Sequence, residues 1–335
     1  MCNEFAMNTP VYFDADIDLE LLRQRKIAVV GYGAQGTAHA LNLRDSGMNV
    51  VIGQRPGAGF QHAVKDQFQP VPIETAVREA DFISLMLPDE IQGSVFESEI
   101  LPHLNDGDIV LCCHGFSLLY ETVKPPAGVI SLLVAPKGAG HMVRSAFAKG
   151  GGVPCLAATG PGTDRETNLP MALAYAAAIG GGRAGIIETS VKEETETDLF
   201  GEQAVLCGGV SHLAIAAFET LVEAGYREEV AYFECVHELK LVVDLLHKGG
   251  LAFMRDHISN TAEYGDYVAG PRLIDEQVRQ KMKEVLADIQ NGNFARRWIE
   301  ETESGGAKFS EFRADHQQKS VEKTGARLRQ MLNLT

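Results

Sequence analysis

The sequence predicts an α/β fold, in which an N-terminal, doubly wound parallel-sheet Rossmann domain precedes an all-helical C-terminal domain. Short, continuous apolar runs recur through the first half of the 335-residue chain, as expected of strands buried on both faces of a parallel sheet. The segments between these runs have the length of crossover helices. After about Thr189 the strand-like runs stop, so we place the domains at residues 1–189 and 190–335.

The predicted strands follow one another along the first domain, and most of them end at glycine or proline. They lie at residues 26–30, 49–53, 81–87, 108–113 and 129–135, with two more expected at 153–158 and 184–188. Open α/β sheets bind ligands beyond the carboxyl ends of their parallel strands. Polar residues that directly follow these runs are therefore the first candidates for a ligand crevice.

The second domain is predicted to be helical. Its helices are expected near residues 195–208, 210–225, 228–247 and 275–290. Gly225 and the glycine pairs 208–209 and 249–250 separate these segments, because glycine weakens a helix interior.

The composition is that of an acidic globular protein. Apolar residues make up 45% of the chain, and the formal net charge is −15. This charge argues against nucleic acid and anionic membranes as partners, since both attract basic surfaces. No apolar run approaches the roughly 18 residues of a membrane span, no signal peptide is visible, and six scattered cysteines form no C-x-x-C pair. We therefore expect a cytoplasmic protein with free thiols.

Residues 31–36 read Gly-Tyr-Gly-Ala-Gln-Gly, a G-x-G-x-x-G pattern between an apolar strand and a predicted helix. That context is the one a dinucleotide-binding turn requires. Gly31 would permit the tight turn, Gly33 would let the backbone approach the pyrophosphate, and Gly36 would let helix pack on strand. The helix N-terminus would offer N–H groups to the phosphates.

The end of the second strand usually distinguishes NAD from NADP, because an acid there contacts the ribose 2′-OH and an arginine suits the 2′-phosphate. Residues 53–62 contain Arg55 but no acid and no Ser, Thr or Lys. Arg55 can bind a 2′-phosphate, stack on the adenine or remain exposed. These residues alone leave the cofactor preference open.

Two pairs of acids share one spacing, Asp198 with Glu202 and Glu234 with Glu238. At i,i+4 on a helix both carboxylates of a pair lie on one face, where like charges repel. The pairs continue into apolar stripes that include Leu206 and Leu241, so inward-facing acids would need compensating cations, and Mg²⁺ suits carboxylate oxygens. The alternative is two exposed acidic faces that pair with Lys or Arg elsewhere.

Three further acids, Glu193, Glu194 and Glu196, precede Asp198. We interpret them as first-turn acids that complement the helix dipole.

Two polar residues follow neighbouring predicted strands, His114 after the fourth and Lys137 after the fifth. Both would lie at the ligand edge of the sheet, although a structural His is the commoner case. Asp89 and Glu90, on the same edge, are more simply read as acids that cap a helix.

Several long motifs make the chain resemble the short, class I form of ketol-acid reductoisomerase, also called acetohydroxy-acid isomeroreductase. The resemblance covers roughly residues 11–330. The motifs are GYGAQGTAHALNLRDSG (31–47), LPDEIQG (87–93), HGFS (114–117), APKGAGHMVRSAF (135–147), ETETDLFGEQAVLCGG (194–209), AYFECVHELKLVVDL (231–245) and ISNTAEYGDYV (258–268).

The resemblance implies Mg²⁺-dependent alkyl migration in 2-acetolactate or 2-aceto-2-hydroxybutyrate, then reduction by NADPH or NADH to the 2,3-dihydroxy acid. It implies this activity in branched-chain amino-acid biosynthesis. The metal ligands for two Mg²⁺ would be Asp198, Glu202, Glu234 and Glu238; the catalytic residues would be His114, Lys137 and Glu238; Ser259 would contact substrate. Cofactor contacts would come from Gly31, Tyr32, Gly33, Ala34, Gln35, Gly36, Arg55, Asp89, Glu90, Ile91, Gln92 and Gly140.

By the same resemblance the molecule is a homodimer or higher homo-oligomer with a shared active site, reached by Glu234 and Glu238 of the partner chain, and the helical domain is knotted. One departure concerns the loop after Arg55. Where many relatives carry serines that bind the 2′-phosphate, this chain has Ala58, Gly59 and Phe60, so relaxed or NADH-leaning cofactor use is expected.

Two other interpretations are open on the residues alone. A metal-independent β-hydroxyacid dehydrogenase would also join a Rossmann domain to helices and could use Lys137 or His114 as its acid. A dinucleotide-sensing or structural protein would show no turnover and would need no Mg²⁺.

Overall fold

The computed structural model describes residues 9–332, and the chain divides into two compact units between Thr197 and Asp198. The break lies inside one helix, Val191–Gly201, whereas the sequence-based boundary after residue 189 precedes that helix. The first unit holds the sheet and the second contains only helices and turns in its described part.

The described part of the first unit contains one eight-stranded sheet with the order β1-β8-β7-β6-β5-β4-β2-β3. The strands are β1 Val11–Tyr12, β2 Lys26–Val30, β3 Asn49–Gly53, β4 Phe82–Leu85, β5 Ile109–Cys112, β6 Ile130–Pro136, β7 Cys155–Thr159 and β8 Ile186–Glu188. Each of the seven predicted runs corresponds to one of them. β1 adds a short antiparallel edge to β8, which the sequence did not predict.

The sheet is parallel from β3 through β2, β4 and β5 to β6, as expected. The expectation of a wholly parallel sheet is wrong at the next pairing, because β7 runs antiparallel to β6, with Pro136 opposite Cys155. The backbone N–H of Lys137 already bonds to the carbonyl of Pro154 at 2.8 Å. The chain thus comes back to the end of the sheet where β6 stops, and β7 begins there. Because β7 then runs in the direction opposite to β6, the sheet is mixed.

Helices cover both faces of the sheet. They are α1 Glu20–Arg23, α2 Ala34–Asp45, α3 Ala58–Lys65, α4 Ile73–Glu79, α5 Asp89–Val95, α6 Phe116–Leu119, α7 Gly140–Ala148 and α8 Arg165–Ala178, with a π turn at Phe96–Ile100. In β2, Ile27 and Val29 belong to one apolar core, whereas Ala28 and Val30 belong to the other. Burial on both faces explains why this strand is continuously apolar, and it confirms the doubly wound arrangement.

A polar network lies inside one of these cores. The ring nitrogen Nδ1 of His39 on α2 lies 3.0 Å from the hydroxyl of Tyr175 on α8, and that hydroxyl lies 2.6 Å from Ser84 Oγ on β4. All three residues are fully buried. Because burial disfavours the charged imidazolium, the pKa of His39 is lowered to about 3.

The second unit is helical, as predicted. After α9 (Val191–Gly201), which spans the break, come α10 Gly208–Glu223, α11 Glu228–Tyr232, α12 Glu238–Asp256, α13 Asn260–Leu273, α14 Glu276–Gln290, α15 Asn293–Glu303, α16 Ala307–Gln318 and α17 Ser320–Leu332, with π turns at Glu202–Leu206 and Phe233–His237. Gly250 leaves the helical conformation, with φ +79°, and kinks α12 where the glycine pair was expected to end a helix.

Many large apolar residues of the helical unit are exposed, and few are buried. Its core is small and centres on Phe218 and Tyr232. By contrast Leu206, Leu241 and Tyr264 are 69%, 54% and 70% exposed.

One helical stretch corrects the sequence-based statement about membrane spans. Residues Val191–Glu223 are long and apolar enough to cross a membrane by length and composition, with a window of mean hydropathy 1.7. Only 6% of that window is buried within the chain. The stretch includes Leu206, one of the exposed apolar residues of the helical unit.

The buried His39 predicts how stability depends on pH. The folded pKa of about 3 lies below the unfolded value near 6.5, so only the unfolded chain takes up a proton between them. The contribution of neutral His39 to the free energy of unfolding is therefore complete above pH 6.5. Below that pH it falls by about 1.4 kcal/mol per pH unit, which amounts to a loss of about 2 kcal/mol at pH 5. Urea unfolding of His39→Gln should show a shallower pH dependence than the parent protein or a His247→Gln control. Equal slopes would contradict the assignment.

Candidate functional site

The glycine-rich turn joins β2 to α2, and each glycine has a distinct environment. Gly31 has φ +98°, and a Cβ there would lie 2.7 Å from the carbonyl oxygen of Met86. A Cβ on Gly36 would lie 2.1 Å from the carbonyl oxygen of Gly31, whereas a Cβ on Gly33 would meet nothing within 4 Å. Gly31 and Gly36 are therefore required for packing, and the open space is at Gly33, where a pyrophosphate would approach.

The other residues of the turn are largely engaged by protein. The Tyr32 hydroxyl donates to Asp66 Oδ2 at 2.8 Å, and the Tyr32 N–H donates to Gln54 Oε1 at 2.7 Å. Burial is the main cause that raises the pKa of Tyr32, and the hydrogen bond and charge of the Asp66 carboxylate raise it further. Ala34 lies against Gly140, since a Cβ on Gly140 would be 2.1 Å from the Ala34 carbonyl oxygen. Gly140 thus allows α7 to pack closely on the turn.

Two buried amide oxygens near this edge of the sheet lack a partner within the protein. Gln35 donates through Nε2 to the carbonyl of Gly138 at 3.0 Å, and Gln92 donates to the carbonyl of Leu87 at 2.7 Å. The Oε1 atoms of both Gln35 and Gln92 are buried without a hydrogen-bond donor. Hydroxyl and amide donors are what a nicotinamide dinucleotide carries, so these acceptors fit such a cofactor.

The remaining predicted cofactor residues lie on two segments. Asp89, Glu90 and Ile91 form the first turn of α5, directly after Pro88, and Asp89 Oδ1 accepts a hydrogen bond from Gln92 at 3.1 Å. Arg55 follows β3, and its guanidinium forms an ion pair with Glu99.

A second group of polar residues lies at the ends of β5 and β6. Lys137 Nζ lies 2.8 Å from Glu194 Oε1, and His114 Nδ1 lies 3.3 Å from Glu194 Oε2. The backbone N–H of Gly115 donates to Glu194 Oε2 at 3.0 Å. The structure thus brings His114 and Lys137 to one edge, as the sequence predicted, and joins them through a carboxylate.

Glu194 is a candidate site residue that the sequence did not reveal as such. It lies in the first turn of α9, as predicted for an acid that complements the helix dipole, but its side chain is only 1% exposed. Burial alone would raise the pKa of its carboxyl, but the hydrogen bonds and charges of His114 and Lys137 outweigh burial and lower it. The available signal was its position one turn before Asp198, which puts both carboxylates on one face of α9.

Three of the four predicted metal ligands lie in or directly after π turns, and the fourth, Asp198, lies within α9. Glu202 is the first residue of one turn, Glu234 lies within the other, and Glu238 begins α12 directly after it. Asp198 is half-buried, whereas the other three are exposed, as are Leu206 and Leu241 of their apolar stripes. Among residues 9–332 of one chain, no group of metal-ligand atoms includes Glu202, Glu234 or Glu238. By contrast, the ligand atoms of His114 and Glu194 lie within 4.8 Å of one another.

Ser259, the predicted substrate contact, caps the N-terminus of α13. Its Oγ accepts a hydrogen bond from the N–H of Ala262 at 3.1 Å. The hydroxyl is thus fixed at a helix N-terminus, where it can also donate its proton to a ligand.

Comparison with known proteins gives two matching family models. Residues 21–185 match the model described as the NADPH-binding domain of acetohydroxy acid isomeroreductase. Residues 191–334 match the C-terminal domain of ketol-acid reductoisomerase. Together the two models span nearly all of the described residues.

Solved structures resemble the chain over most of its length. The NADH-preferring ketol-acid reductoisomerase from an uncultured archean is 42% identical, with a TM-score of 0.93, over 96% of this chain and 99% of that one. A semialdehyde dehydrogenase NAD-binding protein from Cupriavidus necator is 18% identical, with a TM-score of 0.60, over 80% of this chain and 99% of that one. A pyrroline-5-carboxylate reductase from Coxiella burnetii is 12% identical, with a TM-score of 0.52, over 80% and 98%. The last two show similarity of fold alone.

The glycine geometry predicts opposite effects for two alanine substitutions. Gly36→Ala should destabilise the protein by about 1–3 kcal/mol, because its methyl group overlaps the Gly31 carbonyl. Gly33→Ala should leave the free energy of unfolding within about 0.5 kcal/mol and instead weaken dinucleotide binding, because its methyl group fills open space beside the turn. Chemical denaturation and cofactor titration measure the two effects. Loss of stability in Gly33→Ala, without loss of binding, would contradict this division of roles.

Proposed function

The chain belongs to the ketol-acid reductoisomerase family, and from that membership we propose how its residues divide the work of isomerisation and reduction. It is an NAD(P)H-dependent ketol-acid reductoisomerase of branched-chain amino-acid biosynthesis. The main support for these roles is that His114 and Lys137 converge on the buried Glu194 beyond the carboxyl ends of β5 and β6.

The proposed substrates are 2-acetolactate and 2-aceto-2-hydroxybutyrate, and the proposed metal is a pair of Mg²⁺ ions. Asp198 and Glu202 would hold Mg²⁺ from one chain, since carboxylate oxygens are the ligands that this hard cation prefers. Bound Mg²⁺ would stabilise the negative charge that alkyl migration builds on oxygen, and bound NAD(P)H would supply the hydride. The fit is supported by the i,i+4 spacing of Asp198 and Glu202, which suits two carboxylates that share one cation.

The protein's own groups orient the substrate and handle its proton. Glu194 accepts from Lys137 and lies beside His114, so both nitrogen bases are held at fixed positions beyond β5 and β6. Lys137 would donate an N–H to the substrate oxygen that gains negative charge, and its ammonium group would complement that charge. His114 would assist proton transfer at the same edge. The two orphaned amide oxygens of Gln35 and Gln92 would accept from the dinucleotide.

We propose that the active site is completed by a second copy of the chain. Glu234, Glu238 and Ser259 would then come from the partner, with Glu238 serving both metal and substrate. The exposure of Glu234 and Glu238 beside exposed apolar residues such as Leu241 supports this arrangement. Sedimentation at micromolar concentration should show at least a dimer; a monomer that is fully active would contradict the shared site.

The proposed cofactor preference is relaxed or NADH-leaning. Ala58, Gly59 and Phe60 offer no hydroxyl to a 2′-phosphate, and a relative of 42% identity is described as NADH-preferring. A ratio of kcat/KM that favours NADPH by about 100-fold, or 2.7 kcal/mol, would contradict this preference.

We also propose a cytoplasmic location, which agrees with the free cysteines Cys112 and Cys155.

Metal dependence has a direct test. Turnover of 2-acetolactate should stop in EDTA and return with Mg²⁺, because both stages take place beside the proposed metal site. Glu202→Gln should raise the Mg²⁺ concentration for half-maximal binding by at least about tenfold, measured by calorimetry as well as by turnover. Glu223→Gln, an exposed acid on α10, is the matched control. Full activity in EDTA would instead favour the metal-independent dehydrogenase.

The role of Glu194 can be tested by an isosteric change. Glu194→Gln removes the charge that holds Lys137 and His114, and the amide keeps only one acceptor oxygen where the carboxylate has two. We expect kcat to fall about 100-fold with little change in KM for the cofactor, as for a misplaced catalytic group. Glu193→Gln, an exposed neighbour, should keep the parent activity. An unchanged kcat in the folded Glu194→Gln protein would refute the proposed role.

A further inference from the structure

The loop that follows β3 reads the 2′ position of the adenosine ribose in a Rossmann fold. Arg55 is the only cationic residue between positions 54 and 60. Its neighbour Gln54 is engaged at both ends, because Oε1 accepts from the Tyr32 N–H at 2.7 Å and Nε2 donates to the Arg55 carbonyl at 3.2 Å. Recognition of a 2′-phosphate by this loop therefore depends on the guanidinium of Arg55.

Gly59 also limits which side chains the loop can carry beside Arg55. A Cβ at position 59 would lie 3.1 Å from Gln54 Nε2 and 3.2 Å from the carbonyl oxygen of Tyr32. A side chain at this position would have to push against Gln54, which holds the glycine-rich turn. The packing of the turn thus disfavours a hydroxyl-bearing residue that could assist Arg55.

The guanidinium of Arg55 is bound by a carboxylate from a distant part of the chain. Its Nε lies 3.1 Å from Glu99 Oε1, and a terminal nitrogen bonds to the same oxygen. Glu99 belongs to the π turn Phe96–Ile100, where Phe96 and Ile100 are fully buried on either side of it. The Glu99 side chain is 27% exposed, against 59% for Arg55, so the acid is the better anchored partner.

We infer that Glu99 determines cofactor specificity by supplying, from the turn after α5, the acid that is absent at the end of β3. A 2′-phosphate that reaches Arg55 must displace Glu99 and approach its negative charge. An uncharged ribose 2′-OH meets no such repulsion and can donate a hydrogen bond to the carboxylate. The inference rests on the proposed NADH-leaning preference and names the residue responsible for it.

Glu99→Gln tests the inference because it removes the charge and keeps the shape. The full-length enzyme, with Mg²⁺ and 2-acetolactate, is assayed for kcat/KM with NADH and with NADPH. The ratio of NADPH to NADH should rise about tenfold or more, which corresponds to 1.4 kcal/mol. Glu97→Gln makes the same charge change on an exposed side chain of the same turn and should move the ratio less than about twofold. An unchanged ratio in Glu99→Gln, or an equal shift in Glu97→Gln, would overturn the inference.

Binding measurements separate a selective role from a structural one. Adenosine 2′,5′-bisphosphate and adenosine 5′-monophosphate differ only in the 2′-phosphate, so only the first should bind about tenfold more tightly to Glu99→Gln. Adding Arg55→Gln to that variant should abolish the gain, because the released guanidinium is the phosphate ligand. If Glu99→Gln fails to fold, Glu99→Asp, with its shorter reach, should raise the affinity for the bisphosphate alone; equal changes for both nucleotides would overturn the inference.

The two proposals fail in different ways. A parent enzyme that prefers NADPH by 100-fold contradicts the NADH-leaning preference, whatever the variants do. A parent that prefers NADH, with an unaltered ratio in Glu99→Gln, keeps the preference and overturns the role of Glu99.

Discussion

The arrangement of the candidate reacting groups depends on the ion pairs that the buried carboxylate of Glu194 forms with Lys137 and His114. A charge that is 1% exposed must be paired, because an isolated carboxylate loses its hydration without compensation. Here Lys137, His114 and the N–H of Gly115 provide that compensation, and they come from the ends of two neighbouring strands. The same contacts that make burial of Glu194 tolerable therefore fix the geometry of the candidate active site.

The nucleotide turn is governed by a different constraint, the close approach of backbone to backbone. Gly31 and Gly36 lie where a side chain would overlap a carbonyl oxygen, and Gly140 brings α7 equally close to Ala34. These contacts leave the space beside Gly33 as the opening of the turn. Main-chain packing thus shapes the turn, whereas the proposed choice between NADH and NADPH would depend on the ion pair of Arg55 with Glu99.

Sequence reasoning located the features that depend on local pattern. Continuous apolar runs such as residues 26–30 identified the strands, and the spacing of the glycines identified the nucleotide turn. It failed where a partner is distant in the chain. Nothing near Glu194 shows that the ends of β5 and β6 will enclose it, and Arg55 gives no sign of Glu99, which lies 44 residues away. The direction of β7 was missed for the same reason, because it is decided by how the chain returns along the sheet edge.

The π turn Phe233–His237 lengthens one helical turn immediately before Glu238. One residue corresponds to about 100° of helix rotation, so the extra residue sets the phase of every side chain that follows on α12. Loss of a single residue there would rotate Glu238 and the Leu241 face away from their present direction without altering any of them chemically. The number of residues in this stretch therefore sets the direction of the Glu238 side chain as directly as the identity of residue 238 sets its charge.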